Sequence, residues 1–190
     1  PNLIASSLAR RTTDTALCVM GNSLALYNPP TRVAEEFAMI DCISGGRLIA
    51  GFPVGSPMDT CYAYGQNPSL LRERYLEAHD LVKRAWTEKD TFAFSGRYNQ
   101  QRYVNIWPRP IQNDPHPPIW IGGNTAAARR RVADYGDGWC PFPAQGMLAK
   151  TARTDVLDSN AQLAQGIDDL RRRLDAAGRD PATVDITFSN

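Results

Sequence analysis

The chain has 190 residues, of which 43% are hydrophobic and 22% charged, proportions typical of a soluble globular protein of one domain. Its 21 basic and 20 acidic residues leave a net charge of +1, so the composition gives no electrostatic basis for binding nucleic acid or an anionic membrane. Neither a signal peptide nor an apolar run of the roughly 20 residues that cross a bilayer is visible, and the four scattered cysteines are typical of reduced, cytoplasmic thiols without a metal.

The first third of the chain predicts a helix, a strand and a second helix. Residues 2–11 place apolar side chains on one helical face, and because this helix starts at the first residue we expect the sequence to be a piece of a longer chain. An apolar strand within residues 15–26 ends at the polar break Gly21-Asn22-Ser23. The helix that follows has prolines in its first turn and is expected to end in a left-handed stop at Gly45-Gly46.

The middle of the chain predicts a strand at 47–52, followed by a long loop at 58–68. Ser69 is the expected N-cap of a helix that runs to about Trp86. Residues 92–107 alternate in polarity, and this pattern predicts a β-hairpin.

The last third opens on residues 118–125, Pro-Ile-Trp-Ile-Gly-Gly-Asn-Thr, which predict a strand, a tight turn and the start of a helix over 126–133. Such a turn leaves N–H groups free at the positive end of a helix dipole, where a phosphate binds favourably. An ordinary strand-to-helix turn is the alternative, since the run has neither a dinucleotide fingerprint nor a nucleotide-triphosphate loop. The remaining predicted elements are a strand at 138–142, a loop at 143–158, a helix at 159–177 and a strand at 184–188.

The alternation of strands and helices predicts a parallel sheet with right-handed crossovers. Because each strand is short and continuously apolar, we expect both faces of the sheet to be covered. The spacing is compatible with an open doubly wound sheet and with a (β/α)₈ barrel.

Three segments resemble the bacterial luciferase-like monooxygenase family. They are the run at 32–57, which contains Ala-Glu-Glu and Ser-Gly-Gly-Arg, the run at 115–123 and the run at 134–139. The resemblance covers essentially the whole chain in collinear order, and it implies a TIM barrel with insertions. Laid on that barrel, residues 1–190 form a single incomplete domain of about five parallel strands, the third to the seventh, with a hairpin insertion at about 92–107.

In a TIM barrel the loops that follow the strands surround the active site, and this rule selects the candidate cofactor-binding residues. They are Gly21, Asn22, Ser23, Val54, Gly55, Gly122, Gly123, Asn124 and Thr125. The resemblance implies that the flavin phosphate lies on the backbone of the last four, helped by the Thr125 hydroxyl and the turn at Val54. It also implies a non-proline cis peptide bond at Gly21-Asn22 or Asn22-Ser23, with an ordinary trans turn as an equal alternative.

Candidates for contact with substrate are Asp59, Tyr62, Tyr64 and Phe142, with packing of a lid as the alternative role. The catalytic residues are unknown, because the sequence has no Ser-His-Asp arrangement, metal cluster or acid–base pair. His79 is expected on the surface of its helix, and His116 is expected at the opposite, structural end of the barrel. The arginine triplets 129–131 and 171–173 are expected to be solvated helix faces.

The resemblance implies an oxidoreductase that uses reduced FMN and O₂ on a small organic substrate, with the flavin supplied by a separate reductase. One alternative is hydride transfer with the deazaflavin coenzyme F-420, for which Lys150 and Arg153 give slight support. A second alternative is a non-catalytic truncated barrel that serves as a scaffold or subunit. The resemblance also implies a homodimer, whereas the cytoplasmic location is predicted from the cysteines alone.

Overall fold

Strands and helices alternate in the computed structural model, which describes residues 1–188. The strands are β1 (Leu17–Met20), β2 (Leu48–Gly51), β3 (Phe92–Ser95), β4 (Gln100–Val104), β5 (Ile119–Gly122), β6 (Gly138–Cys140) and β7 (Asp185–Ile186). The helices are α1 (Asn2–Ala9), α2 (Thr31–Ser44), α3 (Met58–Ala63), α4 (Leu71–Thr87), α5 (Ala126–Tyr135), α6 (Gly146–Ala152) and α7 (Asn160–Ala176).

Five of the strands form one parallel sheet, in the order β1-β2-β5-β6-β7. The other two, β3 and β4, pair with each other as an antiparallel hairpin that follows α4 in the chain. The predictions of five parallel strands and of a hairpin within residues 92–107 are therefore confirmed.

The helices pack against one face of this sheet. Neighbouring strands place paired residues on that face, and these residues are buried: Val19, Ala50 and Ile119 in β1, β2 and β5. The pair Ile121 and Trp139, in β5 and β6, lies on the same face and is also buried. The opposite face is open in places within residues 1–188. Its members are the exposed Cys18, the half-buried Met20, Ile49 and Cys140, and the buried Trp120.

This one-sided covering decides between the two architectures, because a doubly wound sheet carries helices on both faces whereas a barrel carries them only outside. The fold is therefore an incomplete (β/α)₈ type. The expectation that both sheet faces are covered is wrong for the described residues, since the second face corresponds to the barrel interior.

The Ser-Gly-Gly-Arg segment closes two helices at once. Gly45 and Gly46 adopt φ angles of 73° and 82° and stop α2 in the predicted left-handed conformation. The next residue, Arg47, turns back towards the end of α1. Its guanidinium donates to the carbonyl oxygens of Ala9, Thr12, Thr15 and Ser44 and to the Thr12 hydroxyl.

Two segments predicted as loops contain short helices, α3 within 58–68 and α6 within 143–158. Six and seven residues are too few to show a helical apolar period, so the sequence pattern missed them. The predicted cap is also displaced: Asn67 accepts the Ser69 N–H at 3.0 Å and opens a 3₁₀ turn, after which α4 begins at Leu71. The last strand is shorter than the predicted 184–188.

No helix in the described part of the chain is both long and apolar enough to cross a membrane.

Candidate functional site

A cavity of about 610 Å³ lies at the carboxyl ends of β2, β5 and β6. The loop after β2 (53–57), the turn after β5 and the end of α6 (152–154) form its walls, together with the start of α4 and one face of α5. The cavity thus sits where the loops that follow parallel strands converge, which is the usual place of an active site in this architecture.

The turn after β5 forms one wall of the cavity. Gly123 has a φ angle of +119°, which a side chain would strain. Thr125 is the N-cap of α5, and its Oγ accepts the N–H of Ala128 at 3.1 Å. The N–H groups of Ala126 and Ala127 lie in the first turn, where the helix itself supplies no acceptor. This wall is therefore a positively polarised surface that suits an anion.

Three arginines, Arg72, Arg131 and Arg153, also line the cavity. None of them has a carboxylate partner within residues 1–188. Arg131 is only 9% exposed, and its guanidinium donates to the carbonyl oxygen of Ala127 at 3.2 Å. A nearly buried cation without a counter-charge is unfavourable unless an anion approaches it.

The arginine triplet 129–131 contradicts the expectation of a solvated face. Successive residues of a helix point about 100° apart, so the three side chains diverge. Arg130 is exposed, Arg131 enters the cavity, and Arg129 forms an ion pair with Asp169 of α7 at 2.6 Å.

Six of the predicted site residues line this one cavity: Val54, Gly55, Gly122, Gly123, Thr125 and Phe142. The seventh in the same region, Asn124, is buried and lies outside the lining. Its side-chain amide donates to the carbonyl oxygens of Phe142 and Asp155, and its oxygen accepts the Phe142 N–H. Asn124 therefore fastens the loops after β5 and β6 to each other.

The predicted residues after β1 lie elsewhere. Gly21, Asn22 and Ser23 do not line the cavity, although Met20 before them does. The Asn22 side chain is fully buried and exchanges hydrogen bonds with Asn2. Both peptide bonds of this segment are trans, since the cis bonds of the described chain all precede proline. The cis alternative is thus wrong, and the trans turn is confirmed.

The substrate-loop candidates on α3 and at its C-cap also lie outside the cavity lining. Tyr62 and Tyr64 are more than half exposed. Asp59 accepts the N–H of Thr60 at 2.8 Å, as a residue of the first helical turn.

His79 is buried, which contradicts the expected surface position. Its ring centre lies 4.3 Å from that of Tyr135 and 5.9 Å from that of Tyr75. Burial, assisted by the charges of Lys83 and His116, lowers the pKa of His79 to about 3. The imidazole is therefore neutral and takes no part in the cavity. His116 lies outside the cavity beside Trp86, at a ring separation of 6.3 Å.

Sequence reasoning missed several contributors to the lining, among them Met20, Arg72, Arg131 and Thr154. Arg131 shares a helix face with Ala128, since residues three apart do so, but the sequence alone does not show that this face turns towards the cavity. Burial raises the pKa of the Cys140 thiol in the lining, which disfavours the reactive thiolate. No group of His, Cys, Asp or Glu side chains among the described residues has the arrangement of a metal site.

Comparison with known proteins gives a family match over the full length. The family model described as luciferase-like monooxygenase matches residues 1–190. The FMNH(2)-dependent dimethylsulfone monooxygenase of Pseudomonas putida is 32% identical over 56% of this chain and 30% of its own length. The F420-dependent glucose-6-phosphate dehydrogenase of Kineococcus radiotolerans is 28% identical over 85% of this chain and 44% of its own.

Among solved structures, the monooxygenase RslO1 from Streptomyces bottropensis superposes with a TM-score of 0.81 at 28% identity. The alignment covers 99% of this chain and 53% of that one. The chain thus spans about half the length, or less, of the proteins that it resembles.

Proposed function

Because the chain belongs to the luciferase-like monooxygenase family, we propose that its cavity binds a flavin and that the protein acts as a flavin-dependent oxidoreductase on a small organic molecule. The observation that carries this proposal is the pairing, in one cavity, of a helix N-terminus with three arginines that have no carboxylate partner in residues 1–188. Such a wall favours an anionic ligand, and the flavin phosphate is one.

The phosphate would be held by the start of α5 and by Arg131. The first-turn N–H groups of α5 supply donors and a favourable dipole, and the buried guanidinium supplies the opposing charge. Thr154 adds a hydroxyl to the same lining. These donors fit a phosphate because Arg131, which is only 9% exposed, has no carboxylate partner within residues 1–188.

The remaining walls suit an aromatic ring system. Pro53, Val54, Pro57, Leu71 and Phe142 supply apolar surface. A cavity of about 610 Å³ lies within the usual range for cofactor sites. A bound flavin supplies the redox chemistry, so that the protein has to bind, orient and shield. The lining is consistent with a protein that supplies no acid or base of its own, because none of its described members is a histidine or a carboxylate.

FMN is the first candidate, and its support is the likeness at 32% identity to the FMNH(2)-dependent dimethylsulfone monooxygenase. The deazaflavin is the second. Arg72 and Arg153 are exposed members of the lining, so they are available for the acidic tail that this cofactor carries beyond its phosphate. The separate reductase, the homodimer and the cytoplasmic location stay predictions, and so does the non-catalytic scaffold as the alternative function.

Flavin binding tests the proposal. The full chain is titrated with FMN, riboflavin and the deazaflavin, with flavin fluorescence as the readout. We expect FMN to bind at least tenfold more tightly than riboflavin, because only FMN has the phosphate. Tighter binding of the deazaflavin than of FMN would select the second candidate, and failure of all three to bind would reject the proposal in favour of the scaffold.

A further inference from the structure

Two carbonyl groups of the turn after β5 are held from the side opposite the cavity. The indole Nε1 of Trp139 donates to the carbonyl oxygen of Gly123 at 2.8 Å. The Nη1 of Arg129 donates to the carbonyl oxygen of Asn124 at 2.6 Å. Both donors line a separate, smaller cavity of about 170 Å³ behind the turn, and neither lines the large one.

These two bonds determine where the N–H groups of the turn point. In a trans peptide the C=O and N–H point in opposite directions. With the carbonyls of Gly123 and Asn124 drawn backwards, the N–H groups of Asn124 and Thr125 point forwards. The N–H of Thr125 faces the large cavity, which Thr125 lines, whereas the N–H of Asn124 donates to the Oγ of Thr154 at 2.9 Å. Since Thr154 accepts this bond and lines the cavity, its own hydroxyl proton remains available to a ligand.

Helix α7 holds both of the donor side chains in place. Trp139 is 1% exposed and packs over Gly166, where an added Cβ would lie only 2.8 Å from the indole Cη2. Asp169 accepts from the Nε of Arg129 at 2.6 Å and from the Nε of Arg173 at 2.9 Å. Burial acts to raise the pKa of the Asp169 carboxyl, but the hydrogen bonds from Arg173 and Arg129 outweigh it and lower that pKa, so Asp169 stays ionised near neutral pH.

From this geometry we infer that Trp139 and Arg129 are positioning residues, which orient the turn so that the N–H of Thr125 and the hydroxyl of Thr154 face an anion, and that α7 anchors both of them. The inference rests on the proposed function, because it assigns these residues to the phosphate end of the flavin site. It extends the site to a helix that contributes nothing to the cavity lining within the described chain.

A comparison of FMN with riboflavin distinguishes a role in positioning the phosphate site from a role in general stability. Trp139→Phe keeps an aromatic ring but removes the indole N–H. We expect the affinity for FMN to fall about tenfold, as for the loss of one well-placed hydrogen bond, while the affinity for riboflavin stays unchanged. Equal losses for both flavins, or no loss for either, would overturn the inference.

A second variant acts through α7 and leaves the indole in place. Asp169→Asn removes the charge that holds Arg129, and we expect the same selective loss of FMN affinity. Asp168→Asn is the matched control, because that neighbouring side chain is exposed and its nearest ion-pair contact is 3.9 Å long. A wild-type chain that binds FMN and riboflavin equally tightly would reject the phosphate site itself, and the inference with it, before any variant is made.

Discussion

The guanidinium carbon of Arg131 lies 5.9 Å from the centre of the Tyr75 ring. The ring face offers a weak electrostatic partner, and the Ala127 carbonyl offers one hydrogen bond. These contacts orient the side chain but do not neutralise it. Arg131 also lines the cavity, so its charge is available there to the anion of the proposed flavin.

Replacing Arg131 with methionine should weaken the binding of FMN and leave the chain at least as stable. A buried, uncompensated cation costs free energy, and an apolar side chain of similar length removes that cost. We expect the melting temperature of the ligand-free chain to stay the same or rise, and the affinity for FMN to fall by about 1.5–3 kcal/mol, the range for hydrogen bonds to charged groups. Thermal unfolding and fluorescence titration give the two quantities.

The matched control is Arg130→Met, the same change one residue earlier on an exposed position. It should leave the affinity for FMN unchanged. If the two variants lose FMN affinity equally, the assignment of Arg131 to the phosphate is wrong.

The architecture was predictable because each strand is a short apolar run between polar or glycine-containing breaks. The strand pattern alone did not decide between barrel and open sheet, since that choice depends on which sheet face the helices cover, and apolar side chains such as Met20 and Ile49 look alike on either face. The barrel was predicted only through the family resemblance. The short helices α3 and α6 were not predicted for a different reason, because a helix of about two turns or fewer is too short to show the apolar repeat of a helix in its sequence.

The site was predictable in position but not in detail. The rule for loops after strands selected the turn at Gly123 and the loop at Val54. It could not select Arg131, because the phase of α5 relative to the sheet decides which arginine of the triplet turns inward. His79 was misassigned although its position four residues after Tyr75 places both on one helix face.

Arg47 should be irreplaceable by lysine. Its guanidinium makes five hydrogen bonds of 2.6–3.0 Å, four to main-chain carbonyls and one to a hydroxyl. A lysine ammonium has three donors at one point and cannot reproduce the planar fork. We expect Arg47→Lys to lower the free energy of unfolding in urea by about 2–3 kcal/mol. Arg32→Lys, which alters an exposed i,i+4 pair, should change it by about 0.5 kcal/mol or less. Similar values for both would show that the fork is unnecessary.

Glu77 should control the attachment of the hairpin to α4. Its carboxylate accepts the consecutive N–H groups of Arg97, Tyr98 and Asn99 at 2.6–3.0 Å, and the Asn99 amide at 2.8 Å. The neutral amide of Glu77→Gln accepts through one oxygen only and without charge, so we expect faster hydrogen exchange in the hairpin turn and a loss of about 2 kcal/mol. In the control Glu88→Gln, which affects a half-exposed pair with Arg84, turn exchange should keep the wild-type rate. Unchanged protection of the turn in the Glu77→Gln variant would contradict this role.

His79 should make the chain less stable as the pH falls below about 6.5. The pKa is about 3 in the folded chain and about 6.5 in the unfolded chain, so the unfolded state binds the extra proton between these values. The contribution of the neutral imidazole is complete above pH 6.5 and is lost progressively towards pH 3.

The environment of the ring explains why the loss is large. It packs between Tyr75 and Tyr135, its Nε2 has no partner among residues 1–188, and the charged groups that act on it, Lys83 and His116, both disfavour the imidazolium.

At about 1.36 kcal/mol per pKa unit, lowering the pH from about 7 to about 5 should lower the free energy of unfolding by about 2 kcal/mol. Urea unfolding at about pH 7, 6 and 5 measures this slope, and His79→Phe, which cannot take up a proton, should flatten it. The carboxyls whose pKa is lowered, Glu36 and Asp169, contribute only nearer pH ~4. Parallel curves for the wild type and His79→Phe would therefore place the acid sensitivity elsewhere.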